Sequence, residues 1–372
     1  MIHPLLLVLT ALGLLYGLGV ALLIIGLFNI KAGRTMSRPF VSVVIAARDE
    51  EKTIGRCLAA LSDQDYPASR YEVIVVDDRS SDGTGGVLAA WSGRMKNLRW
   101  LQVGTEPSPL TGKKRALDLG IRGSRGEIIL TTDADCLPKP TWIGAMVRAF
   151  EPAVGLVAGY ASTEEPGERT SLLRQLRSLE RMAVAGVAAG SIGLGRGLTA
   201  VGQNLAYRKS VYVEVGGFSK IGNLRSGDDD LFIQLVSRST SWEMRYATAR
   251  ETHVRTTAPT GLARNIQQDR RRASKGLHYQ PWLVACLIGL YCFYGLLFCL
   301  LCLSPVYWAQ LRLAWAVFGL KMVLDGILIY RICSLLGRRD LLPLFPAGEV
   351  LHLPYVLLFG AWGTLGTYRW KE

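Results

Sequence analysis

Uncharged apolar runs lie at both ends of the chain, and a more polar stretch separates them. The first run extends from Pro4 to Ile30 without a charged residue and consists mainly of Leu, Val, Ile and Gly. A helix of this length is enough to cross a bilayer with some tilt. A cleavable signal peptide is the alternative, but the run is too long, lacks a basic start and shows no clear small-x-small exit. The pattern therefore predicts an N-terminal transmembrane helix within residues 1–30.

The C-terminal end contains further apolar runs. Trp282–Leu303 carries no charge, whereas the next run, Leu313–Leu336, is interrupted by Lys321, Asp325 and Arg331. Because charged side chains avoid lipid, that helix is expected to face a protein interior. Leu341–Tyr368 contains prolines and polar residues, so it is either a further span or a re-entrant, interfacial piece, and we favour a span. We expect a C-terminal membrane region over residues 279–372 with two to three transmembrane helices.

Basic residues set the expected orientation of these helices. Three of them, Lys31, Arg34 and Arg38, directly follow the first apolar run. The positive-inside rule keeps them in the cytoplasm, together with the polar stretch of residues 31–278. Arg312 would lie outside in a four-span arrangement, so three and four spans both stay open. The sequence thus predicts a multi-pass protein of the cell (inner, cytoplasmic) membrane with a cytoplasmic catalytic domain.

The middle of the chain alternates β-rich and helical segments, the pattern of an α/β domain. FVSVVIAA, Phe40–Ala47, precedes a segment with acidic residues at its start and apolar residues at helical spacing. YEVIVVDD and EIILTTDADC are two more β-rich runs, and both end in acids. In open α/β sheets ligands bind outside the carboxyl ends of the strands, so this rim is the expected site. Each acid taken singly is equally compatible with a solvated turn.

Composition narrows the classes of protein that fit this pattern. A hydrophobic fraction of 49% with 20% charged residues excludes a disordered chain. The net charge of +13 suggests nucleic acid, but the chain carries no recognised nucleic-acid motif, and a basic face near anionic lipid explains the charge more simply. Cys299 and Cys302 have C-x-x-C spacing, yet inside an apolar run they behave as small hydrophobes.

Asp133 and Asp135 are the clearest candidates for metal chemistry. Two carboxylates one residue apart on a turn hold a hard divalent cation, and Mg²⁺ or Mn²⁺ fits such ligands. Such an ion offsets the charge of a diphosphate group, so the reaction it serves is departure of a nucleoside diphosphate. The chain has no Walker-type loop that would indicate ATP hydrolysis instead.

Several motifs follow one another in a fixed order over roughly residues 40–280, namely VSVVIAARDEE, VIVVDDRSSDGT, TGKKRALDLG, TTDADC, SGDDDLF and QQDRRRASKG. In their order and spacing they resemble the motifs of membrane-bound family 2 glycosyltransferases. Members include cellulose, hyaluronan and poly-N-acetylglucosamine synthases and ceramide glucosyltransferases. The resemblance implies an α/β GT-A (Rossmann-like) fold, a nucleotide-sugar donor that is usually a UDP-sugar, and inversion at the anomeric carbon.

The resemblance also implies roles for residues on the donor side. The matching positions in the first part of the chain are Ala46, Arg48, Glu50, Asp78, Lys113 and Asp133. Asp78 corresponds to the acid that contacts the nucleotide base, and Ala46 to the position where the first strand touches the base through its backbone. Lys113 corresponds to a lysine near the diphosphate, where a cation makes electrostatic sense. Asp133 and Asp135 correspond to the metal-binding DxD motif.

The acidic triplet Asp228, Asp229 and Asp230 matches the region that supplies the general base. Such a base takes the proton from the acceptor hydroxyl as its oxygen attacks opposite the nucleotide. Alignment on the following Asp-Leu pair selects Asp228, whereas alignment on the acidic doublet selects Asp229; we prefer Asp228. Mutual repulsion should raise at least one pKa in the triplet, and Arg225 nearby would partly offset it. A solvated acidic turn that caps the next helix is the alternative.

A departure from the family occurs in QQDRRRASKG. Membrane-bound members commonly carry Q-x-x-R-W; here Gln268 and Arg271 fit the pattern, but Arg272 replaces the Trp that packs against the acceptor sugar. We expect all three to lie on the donor side. The missing aromatic platform speaks against processive polymerisation. The alternative interpretation of this basic cluster is that it only flanks the next transmembrane helix on its cytoplasmic side.

The acceptor side is expected to involve Asn204, Tyr207 and Asp230. Before them, the apolar segment Leu172–Gly197 either lies flat at the membrane interface and guides a lipid hydroxyl, or packs as a helix of the domain. The sequence thus predicts transfer of a sugar to a lipid or lipid-like acceptor by a membrane-bound enzyme. A processive polysaccharide synthase is the runner-up, and an inactive membrane scaffold is the remaining alternative.

Overall fold

The computed structural model describes residues 2–164, 166–168, 170–222, 224, 226–257, 266–267 and 275–365. Within these ranges the strands β1 to β10 are Val41–Ala47, Tyr71–Asp77, Leu98–Gln102, Ile128–Asp133, Cys136–Pro138, Val154–Gly159, Ala161–Ser162, Leu205–Arg208, Glu243–Ala247 and Val254–Thr256. The helices α1 to α11 are Ile2–Phe28, Ile54–Ser62, Thr84–Ser92, Lys113–Arg122, Trp142–Val147, Leu172–Gly193, Lys209–Glu214, Asp230–Ser239, Pro281–Leu303, Trp308–Leu335 and Phe345–Leu365. Short 3₁₀ turns occupy Ala68–Arg70, Ser219–Ile221, Arg250–Thr252, Gly276–His278 and Arg339–Leu344.

A seven-stranded mixed sheet forms the centre of the domain, in the order β3-β2-β1-β4-β8-β6-β9. Strands β3, β2, β1 and β4 run parallel, and β8 pairs antiparallel with β4 and β6. In this register Ala46 lies between Val76 and Asp133, and Ala47 pairs with Asp77. The carboxyl ends of the predicted strands therefore meet at one edge, as the sequence pattern indicates.

Burial on both faces explains the apolar character of these strands. Every residue of β2 is buried, and apolar clusters lie on each side of the sheet. The helix predicted after β1 begins only at Ile54, because the residues after Ala47 form a turn. In that turn Asp49 has a left-handed φ of 52°, and its Oδ1 accepts a hydrogen bond from the Ser81 backbone N–H at 2.8 Å.

Helix α6 packs between the sheet domain and the apolar helices, which favours the packing alternative for this segment. It contacts α1, α10 and β9. Its glycines allow a close crossing with α1: a Cβ at Gly190 would lie 2.6 Å from the Leu23 carbonyl oxygen. Small residues let helix backbones approach in this way. Helix α6 is thereby fixed between the two parts of the chain.

Four helical segments of the described chain are long and apolar enough to cross a membrane, namely His3–Phe28, Pro281–Leu303, Leu311–Leu335 and Arg339–Trp362. Two of the three charges predicted to face a protein interior do so, since Lys321 is 1% and Asp325 is 8% exposed, whereas Arg331 is half-buried. The last apolar run contains a continuous helix, α11, with Pro354 inside it. This helix agrees with the favoured interpretation of that run as a span.

Candidate functional site

The donor-side residues near the start of the domain lie around the ends of β1 and β2. Asp78 is 5% exposed, its backbone N–H donates to the Ala47 carbonyl oxygen at 2.8 Å, and its carboxylate lies 3.2 Å from the Arg79 guanidinium. The Glu50 backbone N–H donates to Thr84 Oγ1 at 2.9 Å. These contacts hold the loop after β1 against the loop after β2. The register then places Ala46 beside them in the sheet.

Asp133 and Asp135 lie at the end of β4, and the Cys136 thiol is close to both. The ligand atoms of these three residues lie within 4.8 Å of one another. Burial, followed by the charges of Asp133 and Glu50, raises the pKa of Asp135 to about 6. Burial and the same aspartates also raise the pKa of the Cys136 thiol, which keeps it protonated. The two carboxylates are therefore the ligands suited to a hard divalent cation, and the thiol is not.

Residues that sequence reasoning missed support Asp135 from behind. Thr256 Oγ1 donates to Asp135 Oδ2 at 3.3 Å, and Gln203 Nε2 donates to Thr256 Oγ1 at 2.9 Å. Strand β10, which carries Thr256, pairs with β5, and β5 begins directly after Asp135. Sequence spacing gives no sign of this pairing, because more than a hundred positions separate the strands.

Lys113 connects the metal-type carboxylates with the acidic triplet. Its Nζ lies 2.6 Å from Asp133 Oδ1 and 3.0 Å from Asp228 Oδ2. Burial opposes the charge of this lysine, but Asp133 and Asp228 outweigh that effect and raise its pKa. One ammonium group thus contacts the predicted metal ligand and the predicted base.

Asp229 and Asp230 are both engaged in structural contacts. Asp229 precedes α8, and its Oδ1 accepts the Asp230 backbone N–H at 2.8 Å. Lys275 Nζ lies 3.1 Å from Asp229 Oδ1 and 3.4 Å from Asp230 Oδ2, and the Tyr279 hydroxyl donates to Asp230 Oδ2 at 2.6 Å. Lys275 and Tyr279 were not predicted, although an acidic triplet requires such partners.

These contacts separate the acid strengths of the two residues. Burial would raise the pKa of Asp229, but Lys275 and the hydrogen bonds from Asp230 lower it well below its usual range. Burial, and then the charge of Asp229, raises the pKa of Asp230 to about 7. The expected rise within the triplet therefore occurs at Asp230. Lys113 and Lys275 supply the offsetting charge in the described part of the chain, whereas Arg225 lies outside it.

Asp228 lies on the turn directly before these two acids. Gly227 has a φ of 95°, so the turn needs a residue that tolerates left-handed backbone. Beneath it, Lys114 is fully buried and donates to the carbonyl oxygens of Ile221 at 2.5 Å and Ser226 at 3.0 Å. Burial lowers the pKa of Lys114 to about 8. The hydrogen bonds from Lys114 thus fix the backbone of this turn, and the Asp228 carboxylate forms its ion pair with Lys113.

The three residues expected on the acceptor side lie in the interior instead. Asn204 is 0% exposed; its Nδ2 donates to the carbonyl oxygens of Tyr160 and Thr252, and its Oδ1 accepts from Trp142 Nε1 at 3.0 Å. Its amide therefore has a structural role, and the predicted acceptor contact is corrected. Asp230, 5% exposed, supports the turn from behind.

Tyr207 is likewise buried, at 1% exposure, with its ring centroid 4.9 Å from that of Phe232. Burial, followed by the charge of Asp228, raises the pKa of its hydroxyl. Because Tyr207 is buried, it lies beneath the site and does not reach the surface of the site. Gln268, Arg271 and Arg272 lie outside the described residues, so their donor-side roles stay predictions.

Comparison with known proteins identifies the domain. Residues 42–216 match the family model described as Glycosyl transferase family 2. Glycosyltransferase AglE of Haloferax volcanii is 36% identical over 141 residues, which cover 38% of this chain and 45% of the relative. A beta-monoglucosyldiacylglycerol synthase of Trichormus variabilis is 37% identical over 115 residues, 31% of this chain and 24% of the relative. The matches span less than half the length of these curated relatives.

A solved structure shares the architecture over nearly the whole chain. Mannosyltransferase PcManGT from Pyrobaculum calidifontis, in complex with GDP-Man and Mn²⁺, aligns with a TM-score of 0.60 over 98% of this chain and 96% of that chain. The sequence identity is 19%, so this likeness concerns the fold. The chain therefore carries a family 2 glycosyltransferase domain, matched over residues 42–216, with the GT-A fold.

Proposed function

We propose that this protein is a membrane-bound, inverting glycosyltransferase. It transfers a sugar from a nucleotide sugar, expected to be a UDP-sugar, to a lipid or lipid-like acceptor at the cytoplasmic face of the cell membrane. The observation that carries the proposal is the contact of Lys113 with both Asp133 and Asp228, because it brings a donor-diphosphate region and a base within reach of one substrate. In this proposal residues 1–30 form a membrane helix, residues 31–278 form the cytoplasmic glycosyltransferase domain, and residues 279–372 form a C-terminal membrane region.

In this proposal the donor lies along the carboxyl ends of the parallel strands. Asp78 and the backbone of Ala46 contact the nucleotide, and Arg48 and Glu50 lie in the loop beside it. Lys113 contacts the diphosphate, where its positive charge stabilises the leaving group. Asp133 and Asp135 would hold Mg²⁺ or Mn²⁺, and such an ion would offset the negative charge of the nucleoside diphosphate leaving group.

Asp228 is the proposed base, with Asp229 as the alternative in the triplet. It accepts the proton of the acceptor hydroxyl as the oxygen attacks the anomeric carbon from the face opposite the nucleotide. Asp229 is less suited because its contacts with Lys275 and the start of α8 hold it ionised and already hydrogen-bonded. A carboxylate with a strongly lowered pKa is a weak proton acceptor.

The proposed lipid acceptor follows from the helices around the domain. Four segments have the length and composition of membrane spans, and α6 joins them to the sheet. One relative is a beta-monoglucosyldiacylglycerol synthase by name, which supports a membrane lipid as acceptor. An acceptor hydroxyl at the bilayer surface would then meet a site held close to that surface.

Radiolabelled sugar transfer tests this function. Membranes containing the full chain are incubated with a panel of UDP-sugars and with GDP-mannose in Mg²⁺ or Mn²⁺, and the label is divided into organic-soluble and ethanol-insoluble fractions. We expect one discrete species in the organic fraction. Label recovered as long insoluble chains would contradict a lipid acceptor and favour a polysaccharide synthase.

A further inference from the structure

A small basic cavity lies at the junction between the sheet domain and the turn that joins α10 to α11. Its volume is about 110 Å³, and its walls come from β5, β7, β10 and residues 336–338. Arg250 packs directly over Gly337, where a Cβ would lie 2.6 Å from the Arg250 Nε. Gly337 also has a φ of 68°, so this turn is shaped for the arginine. We call this space the junction cavity.

Positive charge dominates the junction cavity. Among the described residues that line it are the four cations Lys139, Arg250, Arg255 and Arg338 and one carboxylate, Glu164. Glu164 accepts hydrogen bonds from the hydroxyls of Thr170 and Ser178, both at 3.0 Å, and its Oε2 lies 3.9 Å from Arg338 Nη2, so its charge is directed to Arg338.

Two of these four cations form ion pairs with residues that the structure describes, and the other two do not. Arg338 forms a bidentate pair with Asp340, and Arg255 pairs with Glu168. Among the described residues no acid lies within ion-pair distance of Lys139 or Arg250. Two positive charges of the junction cavity therefore lack a counter-charge within the described structure.

A buried histidine adds a polar atom without a partner. His253 is 8% exposed and lines the junction cavity, and its Nε2 has no hydrogen-bond partner among the described residues. Its ring stands edge-on to Tyr160, with centroids 5.3 Å apart. Burial, and then the charge of Lys139, lowers the pKa of His253 to about 4, so the ring is neutral near pH 7. Because buried polar groups are normally satisfied, this atom indicates a ligand.

Size and chemistry together select the ligand. A volume of about 110 Å³ corresponds to about four water molecules, which suits a phosphate group and is too small for a nucleotide sugar. The unpaired cations suit an anion with several oxygen acceptors. The other side of the His253 ring bonds the Thr248 backbone, so Nε2 of the neutral ring is an acceptor and suits a hydroxyl, such as one carried by a lipid headgroup. Leu336 and Arg338 follow directly after the apolar segment Leu311–Leu335, which ends at the bilayer surface if it spans the membrane.

We infer that the junction cavity binds a phosphate ester group, supplied by the headgroup of an anionic phospholipid of the surrounding bilayer. Free inorganic phosphate has the same chemistry and is the other source. The inference rests on the membrane span in the proposed function, but it concerns a site formed by other residues than the donor site. A bound headgroup would fix the turn after α10 to the sheet domain.

Lipid retention by the purified full chain tests this inference. The protein is mixed in detergent with equal phosphatidylglycerol and phosphatidylcholine, and bound lipids are counted by native mass spectrometry. The wild type should prefer phosphatidylglycerol, and Lys139→Gln/Arg250→Gln should lower that preference by about thirtyfold, the effect of two cations near anionic lipid. The matched control, Arg94→Gln/Lys96→Gln, removes two exposed cations elsewhere on the domain and should retain the preference.

A second measurement distinguishes the two sources. Melting of the lipid-free protein is followed in detergent with millimolar phosphate or chloride. Stabilisation by phosphate in the wild type but not in Lys139→Gln/Arg250→Gln, without lipid preference, would support the junction cavity with free phosphate as its ligand. Equal lipid retention and equal phosphate response in wild type and this variant would overturn the inference. Sugar transfer is assayed separately, so failure of the proposed function stays distinguishable.

Discussion

Asp228 and Asp229 are adjacent in sequence, but their carboxylates have different surroundings. Asp229 caps α8 and pairs with Lys275, whereas Asp228 meets Lys113 beside Asp133. Asp228→Asn should therefore lower the turnover number by about 10²–10⁴, the usual contribution of a general base. Asp229→Asn keeps a side-chain oxygen for the cap and is the matched control, with a smaller expected loss.

Initial rates of sugar transfer at saturating donor measure this difference. Both variants should also show the melting temperature and membrane insertion of a folded protein. A larger loss in Asp229→Asn than in Asp228→Asn would move the base to Asp229 and reject the assignment made from the contacts.

Residue types alone predicted the acids of the site better than their supporting partners. Asp133 and Asp135 stand out because they follow a β-rich run, and Asp228 because it begins a run of three acids. The acceptor-side prediction for Asn204 was wrong, because the sequence looks the same whether a polar amide faces a substrate or bonds to the backbone in the core. Its 0% exposure follows from strand pairing, which no local pattern contains.

At the scale of elements, the apolar helices are joined by one buried charged cluster. Lys321 of α10 pairs with Asp325 on the same helix at 2.8 Å and with Glu349 of α11, and the Tyr16 hydroxyl of α1 donates to Asp325 at 2.6 Å. Lys321 Nζ also lies 5.0 Å from the ring centroid of Tyr294 in α9. All four helices thus contribute to this cluster.

Removal of its only lysine should destabilise the helical bundle. Lys321→Met leaves Asp325 and Glu349 buried without their cation, which costs about 3–5 kcal/mol for a broken buried pair. Leu320→Met, at a position on the same helix that is 51% exposed, is the control. Thermal unfolding in detergent should show a clearly lower midpoint for Lys321→Met and little change for Leu320→Met. Equal midpoints would mean that the cluster contributes nothing to stability.

Restoring charge balance provides the complementary test of this cluster. Lys321→Met/Asp325→Asn/Glu349→Gln removes the uncompensated charges together and should recover part of the lost stability, because the cost arises from unpaired charge. A triple variant as unstable as Lys321→Met would instead assign the loss to packing.

The elements themselves were accessible from sequence periodicity, but their mutual contacts were not. The three β-rich runs form β1, β2 and β4, and the apolar runs form α1, α9, α10 and α11. Segment Leu172–Gly197 was ambiguous because an interfacial helix and a packing helix share the same apolar pattern. Its glycines meet α1 at a distance that only the assembled fold defines.

At the scale of the whole molecule, the site joins segments far apart in sequence. Lys113, Asp133 and Asp228 meet only after the sheet has formed and α8 has packed against it. Segments far apart in sequence therefore form one site in the folded domain. We propose that this site releases a nucleoside diphosphate in a metal-dependent sugar transfer.

Release of nucleoside diphosphate by the purified full chain in lipid bilayers tests that claim most directly. The reaction contains the nucleotide sugar that supports transfer, acceptor lipid, and either Mn²⁺ or excess chelator, and it compares wild type with Asp135→Ala. We predict release by the wild type with Mn²⁺, loss of release with chelator, and recovery when Mn²⁺ is restored. Asp135→Ala should stay inactive with Mn²⁺ while inserting normally into the bilayer. Undiminished release in chelator, or wild-type release by Asp135→Ala, would mean that the transfer does not depend on a metal held by Asp135.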